Sequence, residues 1–477
     1  MSSGGSTRAP ATRDQADAYR FGVRRLEAAL VRGDPVLLHE QLRSQRRAAI
    51  AGALVGMLAL GGVAIWAQLA PRPDWARESV VVGAGSGAMY VVAHGPDRLV
   101  PVANLPAGRL VLAALARGGG GRGDPATAEP VLVEDADLDA APRTPTAAVP
   151  GATAVRLGGA SIPARWAVCD ATDPESWDDL RTTVVGGAGP SAGPADAVLL
   201  AVPGGDTWLV AGDRRHRIDL TDRALVSTLG IGGREPRRAS AALVNALPEG
   251  AALRTPRVAA AGTDAPAGVP GEVGDLLLAR GVDGAATHHV VLGGGVQEVP
   301  PLVARTMRAA GARELEVGPE VLAAAPQAAG LDVAGWPDAP PALREVAEAP
   351  VVCWTWSAPD AGALLVGSTP PVPAGATAVD LVQADGAGER ADAVVLTPAG
   401  GGAVRATGPG RSPGAGPLWL VAATGVAYGV ADDATAAALG VTAAEPAPEW
   451  ALRLLPVGAT LDLAHAEQTV DVLPAQR

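Results

Sequence analysis

The chain has 477 residues with 38 basic and 50 acidic side chains, a formal charge of −12, and no lysine, so arginine carries every permanent positive charge. Chemistry that needs a lysine is excluded, including the phosphate-gripping lysine of a P-loop. The acidic balance sets the chain against nucleic acid as a partner. A single phenylalanine beside 61 glycines and 42 prolines reflects codon usage more than function.

Residues 1–47 run against the overall charge, with nine arginines and five acids giving +4 and leaving −16 for the rest. Thr12 followed by Gln15 forms a capping-box start, and Tyr19, Val23, Leu26 and Leu30 recur at helical spacing before Gly33 stops the helix. Asp34 and Pro35 then open a second helix toward Arg47. The stripe Tyr19, Val23, Leu26, Leu30 has no soluble core to pack on. It reads as a docking face for another protein, with the membrane surface as the competing destination.

RRAAIAGALVGMLALGGVAIWAQ (46–68) follows. Twenty uncharged residues from Ala48 to Ala67 rise roughly 30 Å as a helix, the thickness of a bilayer's hydrocarbon core. A cleavable signal fits poorly, because a sizeable charged segment precedes the apolar run. Arg43, Arg46 and Arg47 abut the span, whereas Arg72 and Arg77 beyond it are balanced by Asp74 and Glu78. The N-terminus is therefore expected inside and everything after Pro71 outside.

The exterior part, about 400 residues, is long enough for two or three domain-sized units. It opens as a meander, with SVVVGAGSGAMYVVA (79–93) leading to RLVPV (98–102). Four stretches then read alike: 89–112, 208–230, 289–311 and 419–440. Each sets an aromatic ring or histidine (Tyr90, Trp208, His289, Trp419) at the head of a short strand, then a turn, a second strand and a helical pattern. Such a hairpin-plus-helix unit cannot bury its apolar face alone, so the copies must pack together.

The expected fold is α+β: a short cytoplasmic helical tail (1–47), one transmembrane helix (48–68), and a large, elongated, β-rich exterior domain. That domain is divided into a first repeat (75–115), a first central segment (116–200), a second repeat (201–235), a third (275–315), a second central segment (340–400), a fourth repeat (415–445) and a C-terminal segment (446–477).

Chemical motifs are weak. GAGSGA (83–88) has the spacing of a dinucleotide loop but leads into a strand, so it reads as a hairpin turn. His288 and His289 are adjacent and point to opposite faces of a strand, the other four histidines are scattered, and no metal site is supported. Ser86 and Ser161 lie outside any nucleophile elbow. Asp178-Asp179 and Asp432-Asp433 read as turn or cap residues. RGD (122–124) sits in a glycine-rich loop and reads as an accident of composition. No catalytic residue, cofactor or metal is assigned. The two cysteines, Cys169 in RWAVCDA and Cys353 in APVVCWTW, lie in strand-like runs on the oxidising side and are expected to form a disulfide. Each falls between two repeats of its own half, so the halves look like pseudo-duplicates whose central strands meet at an approximate two-fold axis.

In combination, RDQADAYRFGVRRLEAALVRGDPVLLHEQLRSQRRA, the span, SGAMYVV with LVPVANLPAGRLVL, APRTPTAAVPGA, WAVCD, GVAYGVADDATAAALG and LLPVGATLDLAHA resemble the EccB family of type VII (ESX) secretion systems of actinobacteria. The resemblance spans nearly the whole chain. It implies a core subunit of the inner-membrane secretion complex that self-associates and has partners in the EccC, EccD and EccE families. Members of the family have been described as ATPases, although no Walker motif stands here. A structural component therefore competes with a membrane-anchored envelope enzyme that hydrolyses ATP or acts on cell wall.

Overall fold

A computed structural model describes residues 12–33, 38–69, 73–147, 152–173, 179–189, 197–281, 284–359, 362–408 and 414–470. It divides into two compact units, up to Pro73 and from Asp74 onward.

The first unit is two helices. α1 (Arg13–Arg32) starts at the capping box of Thr12 and Gln15 and ends at Gly33, whose φ of 67° is the left-handed conformation glycine adopts without a Cβ penalty. α2 (Leu38–Leu69) is one continuous helix, and Ser44–Trp66 within it is long and apolar enough to cross a membrane, with none of that face buried by protein. Asp34 and Pro35 lie outside the described residues.

The second unit begins with β1 (Val80–Gly83), β2 (Met89–Ala93), β3 (Arg98–Val102), α3 (Leu105–Arg117), β4 (Val131–Val133) and α4 (Asp135–Asp139). The three-stranded meander is followed by a helix, after which β4 returns parallel to β1, giving the order β3-β2-β1-β4. β5 (Thr146–Ala147), β6 (Arg165–Thr172) and β7 (Leu180–Gly186) come next. The pattern then recurs in β8 (Val198–Ala201), β9 (Thr207–Ala211), β10 (Arg214–Ile218), α5 (Arg223–Leu229), β11 (Arg237–Arg238) and α6 (Ala241–Ala246). A third copy runs through β12 (Leu276–Arg280), β13 (Ala286–Leu292), β14 (Gly295–Val299), α7 (Pro301–Ala309), β15 (Glu314–Val317) and α8 (Pro319–Ala324).

After β16 (Val351–Ser357), β17 (Ala363–Gly367), β18 (Ala378–Asp380) and β19 (Ala393–Val395), a fourth copy uses β20 (Gly402–Thr407), β21 (Leu418–Val421), β22 (Ala427–Gly429), α9 (Asp433–Ala438), β23 (Glu445–Pro448) and α10 (Glu449–Arg453). β24 (Thr469–Val470) pairs with β5.

One further bond recurs in all four sheets. Beyond each second helix the chain turns back along the third strand, and a proline carbonyl accepts from that strand's N–H: Pro142 from Leu99, Pro248 from Arg215, Pro326 from Val296 and Pro456 from Ala427, at 2.7 to 2.9 Å. The returning segment thus covers one edge of every sheet.

The middle of the unit is a six-stranded sheet, β17-β16-β6-β7-β19-β18. Leu200 of the second sheet and Val404 and Val421 of the fourth join Trp166, Val184 and Val352 in one apolar cluster on this sheet. The first sheet shares a core with the fourth through Leu110, Leu112, Leu420 and Leu439, and the second shares one with the third through Leu209, Leu225, Val290 and Leu302. Exchanging the first sheet with the third and the second with the fourth carries each of these packings into another. The same exchange swaps β6 with β16, whose hairpin partners β7 and β17 flank them on opposite sides.

Candidate functional site

On α1, about 100° of rotation per residue brings Tyr19, Val23, Leu26 and Leu30 within roughly 60° of one another. They are exposed by 75%, 36%, 65% and 84%. Phe21 and Val31, which the spacing did not single out, are exposed off the stripe. The ridge is thus apolar and open, on a helix that carries five arginines from Arg13 to Arg32.

In the central sheet, β6 and β16 are antiparallel with Cys169 directly opposite Cys353. Their sulfurs are bonded, and both residues are buried in a small apolar cluster with Ala167, Val185, Val351 and Val395. Alternation sends the next residue, Asp170, to the opposite face, where it becomes the centre of a polar node. Its carboxylate accepts from the Ser240 N–H (2.6 Å), the Ser240 hydroxyl (2.8 Å) and the Thr182 hydroxyl (2.9 Å). Ser240 caps α6 in turn, its hydroxyl accepting from the Leu243 N–H. Asp392 holds the neighbouring loop, accepting from the N–H groups of Thr182, Asp385 and Gly386.

Burial pushes the Asp170 carboxyl up to about 6 against the pull of its three donors. Burial likewise lowers the nearby Arg237 guanidinium to about 10, with Glu345 and Asp170 opposing the shift. Arg237 donates to the Ala349 carbonyl at 2.6 Å. Beside this node lies an open cleft of about 750 Å³, lined by Asp173, Asp179, Arg181, Arg238 and Asp385 among others. Arg181 is paired with Asp380, and each carboxylate oxygen of Asp170 and Asp392 accepts at least one hydrogen bond from within the chain. Sequence pattern alone did not mark Asp170; the signal was a lone acid inside an apolar strand.

The glycine-rich turn between β1 and β2 is a hairpin, and it does hold an anion. The N–H groups of Gly85 and Ser86 and the Ser86 hydroxyl donate to Asp135 at 2.6 to 3.0 Å, and these bonds, the Ser86 hydroxyl's first, hold that carboxyl below its usual range. The anion-binding amides are thus occupied from within the chain. His288 lies 3.8 Å from Glu314, and His289 is held below its ordinary pKa by burial. Among the described residues no group of three His, Cys, Asp or Glu side chains could hold a metal ion.

With this geometry in place, known proteins give it a context. A family model described as "Type VII secretion system ESX-1, transport TM domain B" matches residues 8–475. The chain is 34% identical to the ESX-5 secretion system ATPase EccB5 of Mycobacterium tuberculosis H37Rv, over 97% of this chain and 94% of the relative. It is 34% identical to the ESX-3 secretion system ATPase EccB3 of Mycolicibacterium smegmatis, over 92% and 87%. Among solved structures it is similar to a chain of an intact ESX-5 inner membrane complex (TM-score 0.72, 32% identity, 99% of this chain and 98% of that one). It is also similar to an EccB3 dimer from the ESX-3 core complex (TM-score 0.66, 30% identity, 82% and 99%). The chain belongs to the EccB family of type VII secretion systems.

Proposed function

We propose that this chain is a structural subunit of a type VII inner-membrane secretion complex, supporting protein export across the cell envelope. The observation that carries the reading is its end-to-end likeness to a chain of an assembled ESX-5 inner membrane complex. In this reading Ser44–Trp66 is the single anchor, the arginine-rich tail is cytoplasmic, and the unit from Asp74 onward is extracytoplasmic. Of the four copies of one strand-strand-strand-helix-strand unit, the second and fourth pack on the disulfide-linked central sheet and the third and first pack on those in turn, and the copies offer surfaces for a second copy of the chain and for envelope partners. The Tyr19, Val23, Leu26, Leu30 ridge docks a partner of the EccC, EccD or EccE families.

The curated relatives are named ATPases, and that name is a statement about them. In this chain the turn with dinucleotide-loop spacing has its amides filled by Asp135, and no lysine is present to reach a terminal phosphate. Scaffolding is therefore the reading the chemistry favours. The test is to purify the membrane-embedded chain in mild detergent and measure nucleotide hydrolysis alongside the masses of co-purifying proteins. Co-purification of the other membrane subunits without hydrolysis is the expected outcome. Robust hydrolysis by the chain alone would replace this reading with the enzymatic one.

A further inference from the structure

Every sheet in the exterior unit must manage its two edges, because an unpaired row of N–H and C=O groups recruits another strand. In the four repeated sheets one edge is covered by the proline-led return segment. The other carries guards: β4 lies between Glu129-Pro130 and Glu134, β11 is Arg237-Arg238, β15 holds Glu314 and Glu316, and β23 holds Pro446 and Pro448. In the central sheet β18 is three residues long and carries Asp380.

β17 is different. Its sequence is ALLVG, five residues without charge or proline, and it ends the sheet order. Among the described residues no strand pairs with its outer side. The surrounding sequence is uncharged from Ala361 to Val379 in a unit that carries a large negative charge.

The register shows which groups are left open. The Thr172 N–H donates to the Pro350 carbonyl, so Asp170 with Val352 and Val168 with Trp354 are the hydrogen-bonded pairs. Cys169 and Cys353 then form a non-bonded pair, and the backbone N–H and C=O of Cys353 turn to Leu365 on β17. It follows that Leu364 and Val366 direct their N–H and C=O groups outward.

From this we propose that β17 is a docking edge for the β17 strand of a second copy of this chain, paired antiparallel across a two-fold axis. The inference rests on the self-association proposed above and names the surface. Charge selects the occupant. Two copies of a strongly acidic unit repel over most of their surface, and an uncharged segment lets them approach without that cost. A two-fold contact also places like against like, which an uncharged strand tolerates and a charged one does not.

Two substitutions test the edge, one at Val366, whose side chain packs against the large apolar cluster, and one at Gly367, which has no side chain there, so that the second checks the first. Val366→Pro removes an outward N–H and places the ring on the open side, leaving the bonds of Leu365 to Cys353 in place. Gly367→Lys adds a charge where a Cβ has nothing within 4 Å. The measurement is the mass of the full chain in mild detergent by analytical ultracentrifugation, with melting temperature and disulfide content as checks on folding. The wild-type chain is expected as a dimer, and each variant is expected to dissociate at least about tenfold more readily. In the wild type, hydrogen exchange at Leu364 and Val366 should slow as concentration rises. Folded variants that remain as dimeric as wild type, or edge amides indifferent to concentration, would overturn the β17 contact while leaving self-association standing. A wild-type chain that is monomeric throughout would overturn both.

Discussion

Cys169 and Cys353 are separated by 184 residues in sequence and stand opposite each other on adjacent antiparallel strands, joined by a disulfide, with their α-carbons 4.0 Å apart. The bond ties the two halves of the exterior unit at their common sheet.

Closing so long a loop removes roughly 5 kcal/mol of unfolded-state entropy in the chain-entropy model, and realised values are commonly lower. Replacing both cysteines by serine is expected to lower stability by about 2–5 kcal/mol. Denaturant unfolding of the two forms measures this, and non-reducing peptide mapping should recover one intramolecular crosslink between the two peptides.

Asp170 makes stability depend on pH in a direction opposite to most carboxylates. Its folded pKa of about 6 lies above the ordinary value of 3.8, so the folded state binds the proton more tightly than the unfolded one. The stability tied to that proton is lost as pH rises from about 4 through 6. Asp170→Asn keeps an acceptor for the Ser240 N–H and donates to hydroxyls that can rotate. At pH 7.5 it is expected to raise stability by on the order of 2–3 kcal/mol, with little change at pH 4. Thermal unfolding of both forms at the two pH values checks the sign; equal effects at both would contradict it.

The shared core of the first and fourth sheets yields a less obvious expectation. A chain ending at Gly408 lacks Leu418, Leu420 and Leu439, which cover Leu110 and Leu112 some 300 residues earlier. The first sheet should therefore lose protection, although its own sequence is intact. Limited proteolysis should cut within residues 80–133 of the truncated chain and spare them in the full one.

For the tail, Leu26→Asp places a charge in the centre of the exposed ridge, where a covered contact would lose a few kcal/mol. The expected result is loss of partner subunits from the purified chain with no change in the melting of the exterior unit.

Much of this fold was legible because local chemistry and global packing agree. The capping box at Thr12, the stop at Gly33 and the uncharged helix around Met57 are written in contiguous residues. So were the hairpin nature of the glycine turn and the pairing of two lone cysteines. The hairpin-plus-helix pattern around Trp208 or Trp419 was readable, as was the first strand of the first sheet within 79–93, but the first strands of the other three sheets and the parallel strand that closes each sheet were not. β1 and β4 pair residues 50 apart in sequence, as in Val81 with Val131, and β11 is only Arg237-Arg238, whose side chains carry no strand pattern at all. The polar node escaped for a related reason. Asp170, Thr182, Ser240 and Asp392 come from four separate stretches, and only packing brings them together.

The central claim, that this chain is built into a secretion complex, is most directly tested by isolating it from native membranes in mild detergent and identifying by mass spectrometry what comes with it. The account predicts that the other membrane subunits of one type VII system co-purify in fixed proportion and that Leu26→Asp reduces them. A chain that purifies alone, from membranes in which that complex assembles without it, would contradict the account.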